Sequence, residues 1–567
     1  MNMSLVRPDL GGAARRQNFS GTLYLSGMQE AQKKILASLR SKFRDLHEVG
    51  AIHIHDLEGY GRAPNCLAPD LLACFQRIPI DTSSRMKRVL APFELLRQII
   101  ADISNEQTGG IGFANFDSDV AWALERAGIN STLSEDIELV EAQLYGFLDW
   151  LNAARIRFGF ESYYVTLNIG ASSGLLAQIL CSQILNYMAQ RPWHFVRPNV
   201  VFKVIAALHL EKQAPAKMQF LRACEVAAQR MSPTFLLCDS DANKGTIPAE
   251  LTIMGCRTRV WADVNGPPGG IGRGNIAYTS INLPHIALIA ARTGVAFVSQ
   301  FLTALDVQIE NVSEQLLDRR RKLDALNAHQ FPASMHWNAW KGGFLNSTGM
   351  IHAWPHGTLS VGFVGLAEAV EVLLGTSYGP EGEAHALGLT IVRHMAQRIA
   401  ELRARHQENF TLLATSAESA AGRFARLDAE LWKGQTPPEF YTNSFHLPVD
   451  CAIGVFQKLR AEGPFHALCS GGCISYVELS SPPIGNLEAV QDLVREAIAS
   501  GCSYIGMNFP LDICRACEQH GVFDVCPSCG VSDVLRIRRV SGYLEDLDFF
   551  TAGKQAEERR RRSSSFD

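Results

Sequence analysis

Near its C-terminus the chain reads Cys514-Arg515-Ala516-Cys517, eight residues, then Cys526-Pro527-Ser528-Cys529-Gly530, and soon afterwards Arg539-Val540-Ser541-Gly542-Tyr543. Two Cys-x-x-Cys pairs within sixteen residues set four thiolates at the spacing that a structural, tetrahedral zinc ion requires. Four unrelated buried cysteines rarely fall into paired spacings of this kind. Gly542 has two readings. It can supply a tight turn with positive φ, the usual work of a lone glycine. It can also lose a Cα hydrogen and hold an unpaired electron, delocalised between its amide nitrogen and carbonyl, because only glycine lets that carbon become planar without side-chain crowding.

Outward from this run, the bulk numbers narrow the classes. A chain of 567 residues, 47% of them hydrophobic, can bury a large core. Its net charge of −4 offers no basic field for nucleic acid. Arginines cluster at 559–562, before serines 563–565, and read as a solvated tail. The first residues lack the apolar core of a secretion signal, and no apolar run is long enough to span a membrane. Fourteen cysteines in that context imply a reducing cytoplasm, where they serve as metal ligands, catalysts or core filler. Cys74, Cys181, Cys224 and Cys238 lie in apolar segments and fit the last of these.

Apolar spacings of three and four predict amphipathic helices at 28–47, 88–105, 134–153, 210–230, 299–326 and 383–410. Between them stand short β-rich runs at 163–169, 200–205, 276–283, 410–415, 475–479 and 504–509. The alternation predicts an α/β fold in one large domain. A Gly- and Pro-rich stretch at 264–274 follows Met254-Gly255-Cys256 and sets Cys256 near a loop. Residues 510–532 form a small appended module, and the charged, simple sequence beyond Gly553 is expected to be poorly ordered.

Further blocks carry a family resemblance. They include His53-Ile54-His55-Asp56 with Asn65-Cys66-Leu67, Met254-Gly255-Cys256-Arg257, and Gly272 to Asn275 running on to Ser280-Ile281-Asn282. Later come Ser360-Val361-Gly362, Ala414-Thr415-Ser416-Ala417-Glu418-Ser419, Tyr441-Thr442-Asn443, Gly471-Gly472-Cys473 and Gly506-Met507-Asn508. In this order, from about residue 45 to 555, the chain resembles the anaerobic (class III) ribonucleotide reductases, which are glycyl radical enzymes. The resemblance implies a ten-stranded α/β barrel over 46–509, a zinc-knuckle module at 510–532, and a glycyl radical loop with a charged tail at 533–567. It leaves 1–45 as a helical segment with no room for the family's N-terminal ATP-binding cone.

By the same resemblance, Gly542 stores the radical and Cys256 becomes the transient thiyl that attacks a ribonucleoside triphosphate at the ribose 3′ hydrogen. Cys66 faces the substrate from the other side as a reductant, or is a core cysteine at a strand end. An active-site asparagine is expected at Asn275 or Asn282, either of which also reads as a structural hydrogen-bonder. Thr415, Ser416, Ala417, Glu418 and Ser419 resemble the substrate-phosphate loop, with Ser416 where the family pattern leads one to expect proline; a plain helix cap fits too. His53 and His55 as metal ligands lack a matching partner motif. The implied partners are a radical S-adenosylmethionine activase, formate or a thioredoxin or glutaredoxin as electron donor, dNTP or ATP effectors, and a second subunit in a homodimer. A formate-lyase-like or dehydratase-type glycyl radical enzyme is the alternative within the superfamily. A zinc-ribbon binding protein is the alternative outside it, against which the acidic balance weighs.

Overall fold

The computed structural model describes residues 19–77, 79, 83–153, 162–190, 197–292, 297–433, 439–539 and 542–564. Eleven strands build the main sheet: β1 (Ile52–Ile54), β2 (Cys66–Ala68), β3 (Ile111–Phe113), β4 (Val165–Ile169), β5 (Asn199–Val204), β6 (Thr234–Leu237), β7 (Arg273–Asn282), β8 (Thr358–Val364), β9 (Asn409–Ala414), β10 (Ser475–Glu478) and β11 (Tyr504–Asn508). Ten of them follow the order β10-β11-β6-β5-β4-β3-β2-β7-β8-β9, while β1 pairs with β7 outside that path.

Neighbours on the path are parallel except at β6/β11 and β2/β7. The two ends meet through a parallel bridge between Leu413, in β9, and Gly472, just ahead of β10. The result is a closed ten-stranded barrel of two five-stranded parallel halves running in opposite directions. Parallel neighbours need long crossovers. Helices such as Arg85–Ile103, Ser134–Ala153, Lys217–Arg230, Phe297–Asp324 and Gly382–His406 supply them. Covered outside and filled inside, the strands are buried at nearly every position, which is why they read as short continuous apolar runs.

The six β-rich runs of the sequence correspond to β4, β5, β7, β9, β10 and β11, each displaced by three residues or fewer at either end. The predicted helix at 28–47 is two helices, Phe19–Ser38 and Ser41–Glu48, because Arg40 between them is extended (ψ 138°). Strands β1 to β3 span three residues each, too few for alternation to register in the sequence.

Beyond the barrel, a second sheet orders β12 (Leu511–Cys514), β13 (His520–Gly521), β14 (Val534–Arg538) and β15 (Glu545–Asp546) as β13-β12-β14-β15. It carries both cysteine knuckles and leads through β14 into Arg539. The expectation of a poorly ordered tail is corrected here, while Arg559, Arg560 and Arg562 are exposed as a solvated run predicts and Arg561 is not. Residues Ala552–Arg560 form a helix capped by the Thr551 hydroxyl, and Arg561 lies among Glu478, Glu557 and Glu558. The tail is charged because its charges pair with one another and with the barrel.

Candidate active site

Inside the barrel, Met254 and Thr258 form an antiparallel bridge, so residues 255–257 make the tip of a finger. Gly255 turns that tip with φ +62°, a conformation that side chains disfavour. The finger is gripped by polar residues of neighbouring strands. Thr166 Oγ1 and Asn199 Nδ2 donate to the Gly255 carbonyl at 2.9 and 3.1 Å. Asn168 brackets Ile253, accepting from its amide at 3.0 Å and donating to its carbonyl at 3.1 Å. Buried polar atoms must be paired, and here the pairing fixes a loop at the barrel's centre. The polar residues that interrupt β4 in the sequence thereby find their purpose.

Cys256 stands at the fingertip, and Gly542 lies against it. Gly542 is buried, and a β-carbon built on it would overlap the Cys256 β-carbon and lie 3.2 Å from the sulfur. Tyr543 packs beside them with its hydroxyl toward Gly255. The Arg197 guanidinium lies over the Tyr543 ring at 4.6 Å and the Tyr164 ring at 5.8 Å, and the two rings stand 5.5 Å apart. These contacts hold the glycine loop in the barrel mouth.

Cys256 opens onto a cavity of about 290 Å³ that Cys66 also lines. Cys66 donates to Asn65 Oδ1 at 2.9 Å and accepts from the Gly110 amide at 3.3 Å. Burial pushes its thiol up to about 12, so at neutral pH it stays protonated, the form able to give up a hydrogen atom. Asn65 Nδ2 donates onward to Asp56 at 2.7 Å, which orients the amide and with it the thiol.

Of the expected asparagines, neither lines this cavity. Asn275 pairs with Cys66 across β7 and β2, but its amide donates to Ser360 at 2.8 Å and to Thr358 at 3.0 Å. Asn282 caps the helix Leu283–Ala291 and donates to Gly50 and Asp428. The asparagine on the cavity wall is Asn65. Sequence reasoning passed over it, although its neighbour Cys66 was singled out.

Ser416, Ala417 and Glu418 of the expected phosphate loop line the cavity, whereas Thr415 and Ser419 do not. The Thr415 hydroxyl bonds Ser280 at 2.8 Å, and the Ala417 amide donates to Asn443 at 2.8 Å. The Cys256 thiol donates to Ser416 Oγ at 3.1 Å. His53 and His55 also line the cavity, His55 stacked 4.0 Å from Tyr278 and bonded to Ser280 at 2.8 Å. Burial, helped by nearby Arg423, holds His53 well below its ordinary pKa.

Farther out, the four sulfurs of Cys514, Cys517, Cys526 and Cys529 lie within 4.8 Å of one another. Tetrahedral Zn–S bonds of about 2.3 Å put sulfurs about 3.8 Å apart, so the donor set and its spacing can hold such an ion. Both knuckles close alike, with Glu518 and Gly530 at φ +60° and +73° returning their amides to Cys514 and Cys526.

The closed barrel shares its fold with a glycyl radical enzyme from Archaeoglobus fulgidus, on which it superposes with a TM-score of 0.57 at 11% identity, covering 96% of this chain and 85% of that one. The family model for anaerobic ribonucleoside-triphosphate reductase matches residues 13–563, and the chain belongs to that family. It is 28% identical over 560 residues to the anaerobic ribonucleoside-triphosphate reductase of Escherichia coli (strain K12), covering 91% of this chain and 77% of that one. The enzyme of that name from Enterobacteria phage T4 is 28% identical over 569 residues, covering 90% and 89%. The anaerobic ribonucleotide reductase from Thermotoga maritima, solved with dATP and CTP, superposes with a TM-score of 0.72 at 16% identity, covering 96% of this chain and 92% of that one.

Proposed function

We propose that Gly542 stores the unpaired electron and Cys256 deploys it on a ribonucleoside triphosphate held in the 290 Å³ cavity. The observation that carries this assignment is the packing of the Gly542 α-carbon against the Cys256 side chain. Hydrogen passes from Cys256 to the glycyl carbon, and the thiyl so formed removes the ribose 3′ hydrogen. The 2′-hydroxyl then leaves as water, with Asn65, Asp56 and the histidine wall available to hold the proton that moves. Cys66, kept neutral by burial, supplies hydrogen to the 2′ carbon, and the 3′ hydrogen returns from Cys256. Water exclusion protects the radicals throughout.

The phosphates lie along the turn 415–419, where Ser416 and Glu418 reach the cavity. Cys66 and Cys256 are the cysteines among the cavity's described lining residues. This supports formate, a reductant small enough to enter, over a thioredoxin or glutaredoxin, which needs a further thiol pair to reduce. Formate returns a hydrogen atom to the Cys66 sulfur and passes its second electron to the oxidised 3′ carbon as it becomes carbon dioxide, and with one proton taken up as the substrate oxygen leaves as water, atoms and electrons balance. A structural zinc ion in the four-cysteine cluster holds β12 and β14 together at the root of the glycine loop. A radical S-adenosylmethionine activase installs the radical, and a homodimer with a dNTP or ATP effector site completes the assembly.

Anaerobic activation followed by electron paramagnetic resonance and incubation with ribonucleoside triphosphates tests this reading. A doublet that vanishes in Gly542→Ala, together with deoxynucleotide product, is expected. A doublet without deoxynucleotides would redirect the assignment to another glycyl radical chemistry.

A further inference from the structure

Among the described residues, the Cys256 thiol has two neighbours to which it can point its hydrogen. One is Gly542, whose α-carbon packs against the cysteine. The other is the Ser416 hydroxyl, at 3.1 Å, to which the thiol donates. A single S–H cannot serve both. We propose that Ser416 is a positioning residue that keeps the hydrogen on Cys256, and so keeps the unpaired electron parked on Gly542, between turnovers. This deepens the assignment of Gly542 and Cys256 made above and rests on it.

The physical basis is a difference between two states. Transfer moves one hydrogen atom: the S–H bond of Cys256 breaks, a Cα–H bond forms at Gly542, and the unpaired electron passes from carbon to sulfur with no change in charge. Only the thiol side of that exchange has an S–H to donate, so the bond to Ser416 stabilises storage and is lost when the thiyl forms. An S–H···O contact is a weak hydrogen bond, worth about a two- to fivefold shift in such an equilibrium. A proline at this position would have no side-chain group that could accept it. The turn itself is braced from elsewhere, by the Ala417 amide on Asn443 and the Thr415 hydroxyl on Ser280. Among the described residues, the hydrogen bond of the Ser416 side chain is the one it accepts from the sulfur.

The test follows hydrogen exchange at the glycyl carbon. In deuterium oxide the thiol carries deuterium, so each reversible transfer through Cys256 can replace the α-hydrogen of Gly542 and collapse its doublet to a narrow line. Activated wild-type protein is expected to collapse slowly without nucleotide. Ser416→Ala and Ser416→Pro are expected to collapse about two- to fivefold faster, and Ser416→Thr, which keeps a hydroxyl, at close to the wild-type rate. Equal rates in wild type and Ser416→Ala, or a threonine variant as fast as the alanine one, would overturn the inference. Absence of any doublet in the wild type would instead overturn the radical assignment beneath it. Should Ser416→Ala resist activation, the infrared S–H stretch of unactivated protein, identified by difference from Cys256→Ser, provides the second measurement. It should rise in frequency when the acceptor is removed, and an unchanged band would count against the proposal.

Discussion

A methyl group at residue 542 would occupy space already filled by the Cys256 β-carbon. Gly542→Ala should therefore abolish the doublet and turnover and also destabilise the chain by about 1–3 kcal/mol through overpacking. Cys256→Ser separates storage from use: the doublet should remain after activation while deoxynucleotide formation falls to background. A Cys256→Ser protein that still turned over would remove the fingertip from the chemistry. Cys66 permits a different check at this scale. Burial raises its thiol from 9.0 to about 12, so between those values the folded protein holds a proton that the unfolded chain has released. Its contribution to stability is thus complete below pH 9 and is lost as pH rises toward 12. In Cys66→Ala the alkaline decline should be shallower by up to ~1.4 kcal/mol per pH unit above pH 9, read from urea midpoints at pH 8, 9 and 10. Parallel declines in both proteins would mean that the thiol is wetter than its place in the fold implies.

Among the elements, the tail helix Ala552–Arg560 shows best what pairing does to a charged segment. Arg561, after that helix, donates to Glu478 at 2.8 Å and to the Arg539 carbonyl at 2.9 Å. The latter is the last described residue before Gly542, so the tail straps the approach to that glycine to β10. Breaking a buried ion pair on one side costs about 3–5 kcal/mol, because the remaining charges stay desolvated. Arg561→Ala should leave the barrel folded yet make the chain between β14 and β15 far more open to limited proteolysis, with a lower yield of radical on activation. A variant as resistant to protease as the wild type would show that the strap is dispensable. The sequence could not reveal this element, since 559–562 reads as a solvated arginine run until Glu478, over eighty residues earlier, is brought beside it. Cys256 and Gly542 were legible because their signals are local: a glycine-flanked cysteine, and a glycine in a fixed five-residue context. Asn65 was not, because choosing among Asn65, Asn275 and Asn282 depends on which face of a strand or which cap each occupies. The longer strands emerged as apolar runs, but β1 to β3, with three residues each, are defined by their partners rather than by their own pattern.

For the molecule as a whole, radical chemistry depends on the barrel being closed, and closure is concentrated at one join. The Ala414 amide donates to Gly472 at 3.1 Å and the Gly471 amide to Leu412 at 2.7 Å, tying β9 to the approach of β10. The same glycines face the finger: the Arg259 amide donates to Gly471 at 3.0 Å, and a β-carbon on Gly472 would collide with the Arg257 carbonyl. Gly472 also sits at φ +116°, outside the range that side chains readily adopt. One short segment thus completes the barrel wall and presses the Cys256 finger into place against Gly542. Gly472→Ala touches no reacting atom, yet it must either shift the finger or open the join. The expected outcome is a loss of stability of about 2–4 kcal/mol, combining strain with overpacking, and a fall in turnover larger than the fall in radical content. Displacing Cys256 by about 1 Å impairs hydrogen transfer before it prevents the glycine from being activated. Thermal unfolding, spin quantitation and deoxynucleotide assay on the same preparation measure all three. Equal proportional losses of radical and turnover would mean that the join supports Gly542 storage alone, and that the finger owes its position to Thr166, Asn168 and Asn199.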